Sequence, residues 1–433
     1  MPSSSAPSTD LRSVVEPKPH SATMAHMKDS IQSLIDAELP ALRDIRRDLH
    51  QHPELSYQEV RTSQVVKREL TKLGIAFKDG LGKGTGIVAH LPASNAADNA
   101  KGSVGLRADM DALPIEERTG VAYCSKTPGV MHACGHDGHT TILVGAARIL
   151  SKVHRPNPVT FVFQPAEEGG GGAEVMCNEG ALEGNTTLKN GSKGRGIGAP
   201  VRTMFGLHGW PTVELGKIAS RVGPLLAATD DFEVVMRGTQ AHGAYPHQGN
   251  DAILASAQVI TQLQSIVARN MSPLDSCVVT VGAIHAGTAD NIIPETCSFI
   301  GTIRTLKAET RALAKKRFFE IVEHGARAMG CVAQITWKPG YPVTHNDPKA
   351  AATFFEIAES IMPAGTVERV DNPTMGGEDF AYFGQHVPSC FYMLGLKPAD
   401  AATYPTLHQP DFDFNDDALP IGIRVMCELA LRA

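Results

Sequence analysis

Ten consecutive residues, Met131 to Thr140, hold an unusual density of side chains that could bind a metal ion. The segment reads MHACGHDGHT and contains one thiol, one carboxylate and three imidazoles. These are the groups that bind Zn²⁺ in proteins. Cys134 and His136 are the stronger candidate ligands. His132 and His139 are more easily explained as groups that orient a ligand or cap a helix.

Three further places along the chain offer ligands that could join this segment. They are the adjacent pair Glu167 and Glu168, then His208, then His408. A metal site needs ligands from several elements that the fold brings together. Taken singly, each has a plainer explanation, because a lone histidine is usually packed or at the surface and paired glutamates are usually solvated. Most of these places fall at a predicted strand end or helix start, so the set is more informative than any member.

The adjacent glutamates suggest a division of labour. Neighbouring side chains at a strand end point in different directions, so one carboxylate can bind metal while the other faces the reacting water. A divalent metal lowers the pKa of a bound water from about 15.7 toward about 7, and a nearby carboxylate can pass the proton to a leaving group. That is the chemistry of amide hydrolysis. Asp109 and Asp111 could orient ligands from behind, or simply close a turn.

The order of predicted elements indicates how these side chains are positioned. Strand and helix patterns alternate up to about residue 220 and resume after Pro348, which predicts an α/β domain with a mostly parallel sheet covered by helices. The intervening pattern is βαββαβ, a complete ferredoxin-like unit. We therefore predict a catalytic domain from residues 27–220 and 340–433, with residues 221–339 inserted into it. Parallel strands end at one edge of their sheet, where ligand sites form.

Composition excludes several classes of function. The net charge of −6 gives no electrostatic footprint for nucleic acid, and no apolar run is long enough to predict a membrane span. Residues 1–26 are rich in Ser and Pro and lack the apolar core of a secretory signal, so we predict a disordered tail. The eight cysteines show no paired spacing, which favours free thiols in a reducing cytoplasm.

Taken together, these residues resemble the metal-dependent amidohydrolases of the aminoacylase and carboxypeptidase family. The branch is the one that includes hippurate hydrolase, bacterial N-acyl-L-amino acid amidohydrolases and plant auxin-conjugate hydrolases. The resemblance extends from about Ile31 to the end of the chain. It rests on nine stretches in this order: LHQHPELSYQE, RADMDALPIEE, MHACGHDGHT, FQPAEEGGGGA, GLHGWP, AHGAYPHQGNDAI, NIIPETCSFIGTIRT, MGGEDFAYF and LHQPDFDFND.

The resemblance implies a site for two divalent metal ions per subunit, with Zn²⁺, Mn²⁺ and Co²⁺ as the candidates. Cys134 would bridge the two ions as a thiolate. The other metal ligands would be His136, Glu168, His208 and His408. Glu167 would then be the general base and acid.

The resemblance also implies that the inserted unit is a dimerisation domain, so that the chain forms a homodimer. His242 would stabilise the oxyanion, reaching into the partner's site. Asn291 and Arg304 would hold the substrate's carboxylate, which a guanidinium can bind through two parallel hydrogen bonds. The plainer alternatives are a turn residue at Asn291 and a strand-face ion pair at Arg304. Gly376 and Gly377 would line the substrate cleft, or merely precede a helix.

The resemblance therefore implies hydrolysis of the amide bond of N-acyl or N-aroyl amino acids, which releases a carboxylic acid and a free amino acid. The attacking water would lie between the two metals. Two alternatives stay open. One is a dipeptidase or carboxypeptidase on the same scaffold, which would have to recognise a free amine. The other is a non-catalytic metal-binding protein that retains the fold.

Overall fold

The structure is a computed structural model that describes residues 19–433 except 187–190 and 192. Its α-helices are α1 Pro19–Gln51, α2 Val60–Lys72, α3 His136–Leu150, α4 Gly172–Asn178, α5 Ala252–Ser265, α6 Ala308–Ala328, α7 Pro348–Ile361, α8 Ala381–His386 and α9 Leu419–Arg432. Its strands are β1 Ala76–Leu81, β2 Gly86–Leu91, β3 Ser103–Asp109, β4 Val159–Gln164, β5 Val201–Glu214, β6 Ile218–Ser220, β7 Gly223–Leu226, β8 Ala228–Arg237, β9 Ala241–His242, β10 Cys277–Ala286, β11 Ile292–Ile293, β12 Thr296–Thr305, β13 Val332–Pro339, β14 Thr344–Asn346, β15 Val367–Arg369 and β16 Ser389–Lys397.

The N-terminal helix is longer than the sequence predicts. Helical spacing is evident from about Lys28, whereas α1 begins at Pro19, inside the predicted disordered tail of residues 1–26. The rest of that tail, residues 1–18, lies outside the described residues. None of the described helices is long and apolar enough to cross a membrane.

The larger sheet has eight strands in the order β1-β2-β4-β3-β5-β16-β6-β15. Its centre, from β4 through β3 and β5 to β16, is parallel, whereas β1 and β2 pair antiparallel at one edge. β3 and β4 are buried at every position, as expected for parallel strands with both faces covered. This confirms the predicted α/β fold with a mostly parallel central sheet.

Helices α1, α3 and α9 pack against one another over this sheet. A Cβ atom on Gly145 of α3 would lie 2.6 Å from Ile423 Cδ1 and 3.1 Å from Leu42 Cδ1. The glycine therefore lets α1 and α9 approach α3 closely. That contact matters for the site because the first residue of α3 is His136.

The smaller sheet has the order β10-β12-β8-β13, and all its pairs are antiparallel. Together with α5 and α6 it forms the predicted ferredoxin-like βαββαβ unit. One face packs on the two helices through an apolar cluster that includes Phe232, Val234 and Phe299. The domain limits at 220/221 and 339/340 stay a prediction, with which the strand positions are compatible.

The sequence predicts that a strand ends at His208, but in the structure this strand continues past it. β5 continues to Glu214, because its pairing with β16 extends past His208 to the Lys397–Glu214 pair. On its other side, the pairing with β3 stops at Gly206. His208 thus lies two residues past this pairing, level with Asp109 at the end of β3, and so it lies at the carboxyl edge of the parallel strands.

Candidate metal centre

The five predicted ligands meet at the carboxyl edge of the larger sheet. Cys134, His136 and His208 each place one ligand atom within 4.8 Å of the others, and Cys134 does the same with Glu168 and His408. The His408 imidazole Nε2 lies 3.3 Å from a Glu168 carboxylate oxygen. Four separate stretches of chain therefore converge on the Cys134 thiol. That these residues bind metal stays a prediction, which this convergence supports.

The turn before α3 presents two of these side chains together. Gly135 has a φ of 84°, a conformation that favours glycine, and a Cβ atom there would lie 3.0 Å from the Phe414 ring. Because the chain turns at Gly135, Cys134 precedes α3 and His136 begins it. The apolar spacing in the sequence predicts a helix from Thr140, whereas α3 begins four residues earlier, at His136.

His208 has one nitrogen available for a cation. Its Nδ1–H donates to the carbonyl oxygen of Gly209 at 2.8 Å, and its Nε2 lies 3.3 Å from Cys134 Sγ. Burial, together with nearby His139, holds the pKa of His208 well below its ordinary value, so the ring is neutral. His139 bonds through both nitrogens, to Asp109 Oδ1 at 2.6 Å and to the Gly209 N–H at 2.8 Å. It therefore supports its neighbours and has no free nitrogen for metal.

Asp111 connects the two halves of the centre. Its Oδ1 accepts the Glu167 N–H at 3.0 Å and lies 3.2 Å from His136 Nδ1. Its Oδ2 accepts the Glu168 N–H at 3.0 Å and the Ser56 hydroxyl at 2.7 Å. One carboxylate thus orients a predicted ligand and the backbone of both glutamates. This geometry favours the orienting role for Asp111 over a simple turn.

The donor atoms fit divalent cations. Burial and the carboxylates of Glu168 and Glu167 raise the pKa of the Cys134 thiol well above its ordinary value, so a thiolate there requires a cation nearby. His136 Nε2 is buried without a hydrogen-bond partner among the described residues. Although burial opposes its charge, Asp109 and Asp111 raise the pKa of His136 to about 10. The pocket therefore attracts positive charge, and its sulfur, nitrogen and oxygen donors are those that Zn²⁺ takes.

Glu167 lies beside the ligand cluster in a buried, acidic environment. Burial and the carboxylates of Glu378 and Glu168 hold its pKa well above the ordinary value. The Asp379 N–H points at its Oε1 from 3.4 Å, and the Tyr341 hydroxyl donates to its backbone carbonyl. A carboxyl group with a raised pKa can both accept and return a proton near neutral pH.

A fully buried arginine balances this acidic environment. Arg107 donates to Asp109 at 2.7 Å and to Glu378 and Asp379 at 3.0 Å each. It therefore links Asp109, which lies beside His136 and His139, to Glu378 and Asp379, which lie beside Glu167. Sequence reasoning missed Arg107, Glu378 and Asp379, as well as Tyr341. The available signal was their position, because the first three lie inside the stretches RADMDALPIEE and MGGEDFAYF.

A cleft of about 730 Å³ opens between the two sheets over this centre. Glu167, Arg304 and Gly377 line the cleft together with four of the predicted ligands, Cys134, Glu168, His208 and His408. No hydrogen bond or ion pair links the Arg304 guanidinium to any residue that the structure describes, which argues against the strand-face ion pair. The other lining residues are Gly169, Trp210, Leu226, Thr229, Asp231, Lys338, Pro339, Gly340, Tyr341, Met375, Gly376, Glu378 and Leu407.

Two of the predicted site residues, His242 and Asn291, do not line the cleft of their own chain. His242 and Asn291 are exposed on a two-stranded ribbon of β9 and β11, where the Gly243 N–H donates to the Asn291 carbonyl at 2.7 Å. The His242 Nδ1 accepts the Ala244 N–H at 3.0 Å, so its Nε2–H faces outward as a donor.

Comparison with known proteins places this chain in a family of metal-dependent hydrolases. A family model described as peptidase family M20/M25/M40 matches residues 105–432. The chain belongs to this family and is an amidohydrolase of it. This confirms the class that the sequence resembles, and it argues against a non-catalytic protein.

The chain is also similar to individual proteins of this family. The chain is 39% identical to an N-acetyl-L-cysteine deacetylase of Bacillus subtilis, over 87% of this chain and 84% of the relative. It is 38% identical to IAA-amino acid hydrolase ILR1-like 4 of Arabidopsis thaliana, over 90% and 84% of the two chains. The crystal structure of the Bacillus subtilis YXEP protein, described as a dinuclear metal binding peptidase from the M20 family, is similar with a TM-score of 0.74 and 32% identity. That match covers 92% of this chain and 98% of the other.

Proposed function

We propose that the protein hydrolyses the amide bond of N-acyl and N-aroyl amino acids, releasing a carboxylic acid and a free amino acid. The observation that supports this most directly is the arrangement of the cleft. Glu167, four of the predicted metal ligands and Arg304 all line it, and the Arg304 guanidinium has no partner among the described residues. A substrate with its carboxylate on Arg304 can extend its amide carbonyl toward the ligand cluster. Arginine is well suited to such a planar anion.

In this proposal two divalent ions, Zn²⁺, Mn²⁺ or Co²⁺, would be held by Cys134, His136, Glu168, His208 and His408. When bound, such ions polarise a carbonyl and make water more acidic. Glu167 takes the proton of the attacking water and returns it to the leaving nitrogen. Its high pKa suits that return.

We further propose that the active form is a homodimer in which the ribbon of β9 and β11 reaches the partner's cleft. His242 would then donate its Nε2–H to the developing oxyanion. Asn291 lies on the same ribbon and would support Arg304 in holding the carboxylate. Both residues are exposed and neither lines the cleft of its own chain, which supports this arrangement.

The substrate class is tested by measuring kcat/KM on metal-reconstituted protein. The panel contains acetyl, benzoyl and arylacetyl derivatives of one amino acid, the matching amides that lack the carboxylate, and dipeptides. Apoprotein is reloaded with each of the three metals in turn. We expect the acylated amino acids to be preferred over the amides without a carboxylate and over dipeptides. Preferential hydrolysis of dipeptides would instead support the dipeptidase alternative.

We also propose that the protein works in the cytoplasm. Its eight cysteines are all free, and seven of them are buried, as is typical of proteins in a reducing compartment. Thiol labelling of the denatured protein from fractionated cells tests this. Labelling of all eight in the cytoplasmic fraction is expected, and disulfide-bonded protein outside that fraction would contradict it.

A further inference from the structure

The loop that carries Glu167 and Glu168 contains a strained residue directly before them. Ala166 has a φ of 55°, in the left-handed region that residues with a Cβ atom avoid. Such a conformation persists only where the surroundings fix it, and it is often found at functional sites. The contacts that hold Ala166 therefore determine the direction in which Glu167 leaves the end of β4.

A short segment before α2 holds this loop at three points. The Ser56 hydroxyl lies 3.2 Å from the carbonyl oxygen of Glu168, and the Tyr57 hydroxyl donates to the carbonyl oxygen of Gly170 at 2.5 Å. Glu59 accepts the N–H of Ala166 at 2.9 Å. We call residues 56–59 the loop clamp. Its three contacts are with Ala166, just before the two glutamates, with Glu168 itself, and with Gly170, just after them.

Glu59 is the member with the most specific geometry. It is fully buried, and its Oε1 accepts the N–H groups of Ala166 and Tyr57 at 2.9 and 2.8 Å. Its Oε2 accepts the Thr85 hydroxyl at 2.6 Å. Glu59 precedes α2 directly, yet its side chain makes no capping bond to that helix. The first N–H groups of α2 are instead bound by Glu54, so Glu59 is not needed to start the helix.

We propose that Glu59 is a positioning residue for the reaction, which acts by fixing the backbone of Ala166 so that Glu167 points into the cleft. The inference rests on the proposed role of Glu167 as general base. It predicts that loss of Glu59 slows turnover without weakening the binding of substrate or metal. Glu59 neither lines the cleft nor belongs to the predicted ligands, and Glu168 keeps its own contacts with Asp111 and Ser56.

The test compares three variants of the full-length, metal-reconstituted protein. Glu59→Ala should lower kcat about 10- to 100-fold with KM and metal content near the wild-type values, because a displacement near 1 Å can cost that much. Glu59→Gln should retain kcat within about threefold, because its amide oxygen can still accept both N–H groups and its NH₂ can donate to Thr85. The control is Glu69→Ala, which removes a buried glutamate inside α2 that pairs with Arg148. It should lower the melting temperature and leave kcat unchanged.

Wild-type kcat in folded, metal-loaded Glu59→Ala would overturn the proposal, as would a Glu59→Gln variant as slow as Glu59→Ala. If Glu59→Ala does not fold, Tyr57→Phe removes only the hydroxyl contact with Gly170. A several-fold lower kcat then supports the clamp, and an unchanged kcat overturns it.

Rates are taken on whichever amide the wild-type protein hydrolyses, so an error in the proposed substrate class does not affect the result. Wild-type activity in Glu167→Ala would refute the general base, whereas activity lost there but kept in Glu59→Ala would refute only the clamp.

Discussion

Asp111 shows how a single side chain can serve two parts of a reaction site. Its two oxygens accept the N–H groups of Glu167 and Glu168, and one of them also faces His136 Nδ1. Groups that orient a ligand in this way affect how tightly the metal is bound. The carboxylate is buried, so no water molecule from solvent replaces it easily.

Asp111→Asn should weaken metal binding. The amide NH₂ of asparagine cannot accept an N–H, so one of the two glutamate amides loses its partner. Such changes typically cost about 10- to 100-fold in metal affinity or activity. Metal retained after dialysis against a graded series of chelator concentrations measures the effect. The control is Asp417→Asn, an exposed carboxylate paired with Arg43, for which wild-type retention is expected. Equal retention by both variants would contradict the role given to Asp111.

At the scale of elements, the site depends on where neighbouring strands stop. β3 and β4 end at Asp109 and Gln164, while β5 continues past them. The carboxylates of the turns and the imidazole of His208 therefore meet at one edge of the sheet. The segment before α8 also lines the cleft. Of its two glycines, Gly377 lies close to the smaller sheet and Gly376 does not.

The glycine pair before α8 provides a test of how closely the two sheets approach. A Cβ atom on Gly377 would lie 2.4 Å from Thr229 Cγ2 and 3.3 Å from Arg304 Nη1, whereas one on Gly376 would meet only Thr374 Oγ1, at 3.8 Å. Gly377→Ala should raise KM about tenfold or more by displacing Arg304, because a charge-assisted contact contributes roughly 1.5–3 kcal/mol. Gly376→Ala is the comparison and should raise KM less, because a Cβ atom there would not contact Arg304. Steady-state kinetics on a carboxylate-bearing substrate decides the matter. A similar KM in both variants would mean that Arg304 does not hold the carboxylate.

Local sequence patterns predicted the elements and the candidate ligands, but not their wider surroundings. The alternation of strands and helices gave the two sheets, and residue type singled out Cys134 and His136. Periodicity carries no information on Arg107 and Asp379, which are 272 residues apart and meet only in the folded chain. The length of β5 was also missed, because it is set by pairing with β16 rather than by its own residues. The ligand assignments and domain limits stay predictions.

At the scale of the whole molecule, exposed apolar side chains concentrate in the part of the chain that holds the smaller sheet. Among the described residues, every exposed large apolar residue except Val60 lies between Val222 and Val332. They include Tyr245, Ile253 and Leu254, close in sequence to His242. Apolar groups exposed together often mark a contact with another protein chain, which supports a dimer formed through the smaller sheet's unit.

Mixing two inactive variants tests whether His242 acts in the partner's site. If it does, a hybrid dimer of Glu167→Ala and His242→Ala has one site in which both groups are intact. Random exchange makes half of the dimers hybrid, so about a quarter of wild-type activity should return. Each variant mixed with itself is the control. No recovery, with subunit exchange shown by differently tagged chains, would mean that His242 acts within its own chain or not at all.

The most direct test of the central claim is the turnover of Glu167→Ala on an N-acyl amino acid, measured together with its metal content. A carboxylate that transfers the proton contributes about 10²–10⁴-fold to the rate. We therefore expect kcat to fall at least about a hundredfold while the metal content and KM stay near wild type. A variant with full metal content that kept more than about a hundredth of wild-type turnover would contradict the role of Glu167 as general base.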